Sequence, residues 1–135
     1  MAVEEFVSIS PKGTDPEQLT DAFGTVVLEA LDPAFAEELP AESQQVLEAG
    51  SPGELRVETV ARILAHHDDR DPEFVHADLL DRILLEMTNA VVDVDALASR
   101  LGLAMTAKEI QRRIEGREPM RLAEYATIRH AIAND

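Results

Sequence analysis

Apolar residues recur at helical spacing through most of this chain, and the stretches that carry them open on a shared signal. An Asp or Ser stands directly before Pro at Asp15-Pro16, Asp32-Pro33, Ser51-Pro52 and Asp71-Pro72. The polar side chain can accept from free backbone N–H groups, and Pro suits the first helical position, where no donor is needed. After Pro16 the apolar set is Leu19, Phe23, Val26, Val27, Ala30 and Leu31; after Pro52 it is Leu55, Val60, Ile63 and Leu64, ending at His66-His67. After Pro72 come Val75, Leu79, Leu80, Ile83, Leu84 and Met87, the most regular stripe and a candidate for either core or dimer helix. A shorter helix over 41–49 stops at Gly50. Only Val3–Ile9, followed by Pro11-Lys12-Gly13, reads differently: as a lone edge strand or a disordered tail.

Residues 93–133 read as three short helices with tight turns. Asp93 or Asp95 caps the first, which carries Leu97, Ala98 and Leu101 and stops at Gly102. Thr106 caps the second, with Ile110 and Ile114 on one face and Gly116 at its end. Pro119 opens the third, with Leu122, Tyr125, Ile128 and Ile132 facing inward. The whole chain is expected to be all-α, a compact bundle of about six to eight helices with a possible short N-terminal strand.

Composition narrows the class. The chain has 135 residues, of which 45% are apolar, enough for one core. At 4% aromatic content and with no Trp, that core must be mostly Leu, Ile, Val and Ala. With no cysteine there are no disulfides, thiolate nucleophiles or cysteine zinc sites. No apolar run reaches membrane-span length and no signal pattern opens the chain, so a cytoplasmic placement without membrane contact is expected.

Charge then divides the sequence. The net charge is −15, and residues 1–91 hold 20 acids against 5 bases, whereas 92–135 hold 7 of each. Every base in that second part except Lys108 is arginine: Arg100, Arg112, Arg113, Arg117, Arg121 and Arg129. We therefore read three segments: 1–13 as flexible or strand-like, 14–91 as an acidic helical region for core, dimerisation or partner binding, and 92–135 as a C-terminal module expected to pack against it, since nothing marks a long linker. An acidic surface of this size repels phosphates, so any nucleic-acid contact has to come from the arginine-bearing end.

That end carries a resemblance. Leu97-Ala98-Ser99-Arg100-Leu101-Gly102-Leu103, then Ile110, Ile114-Glu115-Gly116-Arg117 and Pro119, resembles the helix-turn-helix of Cro/repressor-like (Xre-type) regulators over about 40 residues. The stretch Gly102–Ile110 is about two residues longer than that family's turn. The resemblance implies that the second helix lies in the major groove, with Lys108, Gln111 and Arg112 reading base edges. Arg100, Arg113, Arg117 and Arg121 would then hold phosphates. Interleaved Glu109, Glu115, Glu118 and Glu124 give the alternative, a salt-bridged, solvated surface.

Other constellations are weaker. His66-His67-Asp68-Asp69, with Asp71 and His76 nearby, has metal-ligand residue types, but it also suits a polar turn at a helix C-terminus. Carboxylate pairs are as abundant as the net charge predicts, and no nucleophile or phosphate-loop motif accompanies them. No enzyme, cofactor or small-molecule substrate is expected. Two functions remain: a helix-turn-helix DNA-binding regulator acting as a homodimer, or a non-enzymatic protein-interaction module such as an antitoxin, adaptor or acidic DNA mimic. In the second, the acidic helices meet a basic protein.

Overall fold

The computed structural model describes residues 1–134, and among them the chain is all-helical, with no strand beyond one isolated bridge. The helices are α1 (Ala2–Ser8), α2 (Pro16–Ala30), α3 (Pro33–Ala36), α4 (Ala41–Glu48), α5 (Val57–Asp68), α6 (Pro72–Ala90), α7 (Val94–Arg100), α8 (Ala107–Ile114) and α9 (Leu122–Ala133).

Three of the four Asp/Ser-Pro signals cap helices as their chemistry dictates. Asp15 accepts from the Gln18 amide in a reciprocal capping box, Asp32 from Ala34, and Asp71 from Glu73. Ser51 makes no side-chain cap and heads only a 3-10 turn, Pro52–Glu54. The helix expected from Pro52 begins at Val57 instead. The reason is tertiary: Leu55 and Arg56 are extended so that Arg56 can bridge antiparallel to Arg121. The Val57 amide donates to Met120 O at 2.7 Å, and the Leu122 amide to Leu55 O at 2.7 Å.

The N-terminal segment departs from the strand-or-tail expectation, since residues 2–8 form α1. A lone strand would leave its backbone groups unpaired, whereas a helix satisfies its own and turns Ala2, Val3 and Phe6 to one side, where all three are buried. Its first amides are answered from a distance: Asp68 Oδ1 accepts from Ala2 N and Oδ2 from Val3 N, both at 2.9 Å.

The core is one cluster running from Ala2 to Ile132. The heaviest packing joins α2 to α9 and α5 to α6, and α9 also meets α6. The change of charge at residue 91 is therefore not a change of core. Phe6, Phe23 and Tyr125 meet at its centre with ring centroids 4.5–5.8 Å apart. Gly24 is required where α2 crosses the 3-10 turn, because a Cβ there would stand 2.8 Å from Pro52 Cγ. Of the α6 stripe, Val75, Leu79, Leu80, Ile83 and Met87 are buried in the core, and Leu84 is left exposed.

Candidate functional site

The C-terminal helices place the motif residues first. Leu97 and Ala98 are buried on α7, which packs against α8 and α9. Leu101 is half-buried, and Gly102 and Leu103 both take left-handed backbone, φ +64° and +63°. The connection Leu101–Thr106 has six residues, against the three or four of a helix-turn-helix corner. Thr106 and Glu109 then form a capping box that starts α8. Hydrogen bonds from Thr106, and further along Arg113, hold the Glu109 carboxyl below its ordinary range. Ile110 and Ile114 are buried, and α8 stops before Gly116 at φ +77°.

The polar face of α8 and its flanks is where nucleic-acid contact was expected. Gln111 Nε2 donates to Glu115 Oε2 at 2.8 Å, and Arg112 Nη1 to Glu118 Oε1 at 3.1 Å. Arg113, mostly covered, lies among three carboxylates: Glu109 and Glu124 at 3.5 Å and Glu118 at 3.9 Å. Arg117 pairs with Glu115 at 3.4 Å. Arg121 donates to Glu54 O at 2.6 Å and stands 3.8 Å from the Glu54 carboxylate. Arg100 faces away from this group and donates to Ala131 O and Ile132 O, closing the end of α9. Lys108 is exposed and, among the described residues, forms no ion pair.

Arg56, Arg113 and Arg121 do converge on one cleft, brought there by the Arg56–Arg121 bridge, but Glu118 and Glu124 line it with them. Arg56 has Glu42 at 3.8 Å as a further neighbour. The fold thus gathers cations and supplies each with a carboxylate.

The His66–Asp69 cluster divides among separate tasks. His67 Nδ1 and Asp68 Oδ1 are 2.8 Å apart, and Asp68 is the acceptor for α1. Burial works to raise the Asp68 pKa, but hydrogen bonds from His67, Val3 and Ala2 overcome it and hold the carboxyl below its ordinary value. His66 stacks on Phe35, 4.1 Å between centroids, with Asp32 3.5 Å from its Nε2. Asp69 is the left-handed cap of α5, and Asp71 caps α6. Among the described residues no group of three His, Asp or Glu side chains is placed to hold a metal ion.

Two features stand outside the sequence reading. Arg129, counted only as one of the tail's bases, is fully buried: Nε donates to Glu86 Oε1 at 2.8 Å and Nη2 to Glu86 Oε2 at 2.7 Å. Nη2 also reaches Val7 O and Ile9 O, and the guanidinium lies 5.3 Å from the Phe23 ring centre. Second, α6 turns an apolar edge to solvent: Phe74 is 69% exposed, Leu85 52% and Leu84 46%. Phe74 and Leu85 fall off the regular inward stripe, and that displacement was the signal in the sequence that could have found them.

No helix among the described residues is long and apolar enough to cross a membrane. No curated protein and no solved structure matches the chain. One family model does match, over residues 17–135, nearly the whole chain: the protein belongs to DUF5791, a family of unknown function.

Proposed function

We propose that this protein is a non-enzymatic interaction module whose acidic helical surface binds a basic protein. The observation that carries this reading is the pairing on and around α8. Gln111 and Arg112, expected to read bases, are bonded to Glu115 and Glu118, and Arg113 sits among Glu109, Glu118 and Glu124. Docking in a major groove would bring those glutamates against phosphates, or break each pair and desolvate its acid. The surplus charge of the molecule lies instead in residues 1–91, where acids outnumber bases four to one. Such a surface attracts cationic partners and speeds their encounter.

The regulator remains the second reading, on one observation. Lys108 is exposed without an ion pair among the described residues, and 100–121 still hold six bases against three acids. Two experiments separate the readings. Binding to pooled genomic fragments is measured over a salt series, with wild type beside Lys108→Ala/Arg112→Ala. In parallel, a photo-crosslinking residue is scanned over exposed positions of α2, α4, α6 and α8 in cells that make the protein. The interaction reading expects no fragment enrichment, and protein crosslinks from the acidic helices. Salt-sensitive enrichment lost in the double variant would replace it with the regulator.

A further inference from the structure

We infer that the outward face of α6 is the docking site, and that its occupant is a basic amphipathic helix of a partner protein. This rests on the interaction reading and assigns its surface and ligand class. On a helix, positions 74, 77, 78, 81, 84, 85 and 88 fall on one side, and all of them are exposed. Phe74 and Leu85 are near the middle of that side, three turns and about 16 Å apart. Leu84 and Ala77 flank them, and Thr88 offers its methyl because its hydroxyl donates to Leu84 O at 2.9 Å. A Phe at 69% exposure and, three turns on, two half-exposed leucines on the same side of one helix are a costly arrangement for a surface that stays in water.

Charge selects the occupant. Asp78 and Asp81 stand among the apolar positions, Glu73 lies at the edge of this side, and the side itself carries no Lys or Arg. Asp78 has Arg70 at 2.9 Å, while Glu73 and Asp81 form no ion pair among the described residues. A second copy would bring the same carboxylates against each other in a chain already at −15. A helix with two apolar anchors three turns apart, and Lys or Arg between them, would fill the Phe74–Leu85 edge and answer Asp81, with Asp78 already held by Arg70. The side chains of Arg82 and Glu86 lie off this face, engaged with each other at 3.2 Å.

The probe is a synthetic Leu/Lys amphipathic peptide about four turns long, titrated into the full chain. Controls are a peptide of the same composition with its leucines scattered around the helix, and a Leu/Glu version. The expected result is binding of the first peptide only, weakened about tenfold or more by Phe74→Ala/Leu85→Ala and also by Asp81→Asn. A remote change on α4, Glu48→Gln, should leave it unaltered. Because all substituted residues are exposed, circular dichroism should show every variant folded. Equal binding of the scattered peptide, or indifference to Phe74→Ala/Leu85→Ala, overturns the assignment. So does a concentration-dependent dimer in sedimentation that the same double variant abolishes, since the face is then occupied by a second copy. The crosslinking scan separates the two levels: crosslinks confined to positions off α6 sink this site alone, and none at all sinks the interaction reading with it.

Discussion

At the residue scale, two buried charges set what a single substitution can do. The Asp68 carboxylate is the acceptor for both leading amides of α1, and its pKa is held below the unfolded value. A depressed folded pKa stabilises the fold above the unfolded pKa of about 3.9 and is lost as pH falls through the lower, folded value. Asp68→Ala should therefore cost about 1–2 kcal/mol near neutral pH, and the gap to wild type should close below about pH 4; urea midpoints across a pH series measure both. A gap that persists at the acid end would mean that packing, not the carboxylate, was lost. Arg129 and Glu86 test a different balance. Glu86→Ala leaves the guanidinium buried without its carboxylate and should cost about 3–5 kcal/mol, whereas Arg129→Met with Glu86→Leu should recover most of it. A cost under about 1 kcal/mol for the single change would show that the Val7 and Ile9 carbonyls already suffice.

At the element scale, the deciding contact is the crossing of α2 over the Pro52–Glu54 turn. Gly24→Ala gains about 1 kcal/mol of helix propensity but must move Pro52, and overpacking of this kind costs about 1–3 kcal/mol. We expect a net loss of about 1 kcal/mol, read as a lower denaturation midpoint; a higher one would mean the turn yields freely. This contact also marks where the sequence stopped being legible. Asp15, Asp32 and Asp71 announced their helices because capping is local chemistry, and the inward residues of α6 announced themselves by period. Ser51-Pro52 gave the same local signal and failed, because residues 55–56 are held extended by a partner 65 positions away. Val3–Ile9 failed likewise: the acceptor that completes α1 is Asp68, which no window around residue 3 contains. On the polar face of α8, spacing located the cations and the interleaved glutamates that could pair with them, but not which carboxylate meets which arginine, because Glu118 and Glu124 reach back from beyond the helix.

At the scale of the whole molecule, self-repulsion and ion pairing oppose each other. Exposed pairs contribute about 0–1 kcal/mol each, and 20 acids with 5 bases in residues 1–91 leave most carboxylates there unanswered. Repulsion should dominate, so added salt should stabilise: screening shortens from about 10 Å at 0.1 M to about 3 Å at 1 M. Melting temperature in sodium chloride is expected to climb over that range, and a fall would show that the arginine pairs of α8 outweigh the acidic shell. The α2–α9 packing has a further consequence. α2 and α9, one of the two heaviest helix pairings, are separated by about three-quarters of the chain, so α9 has to be synthesised before Phe23 finds Tyr125. Until then the face of α2 that meets α9 stays uncovered, although α5 and α6 can already pair. A chain cut after Arg121 should stay largely unstructured by circular dichroism, and the full chain should refold more slowly than its helical content suggests, because loop closure, not helix formation, limits the rate.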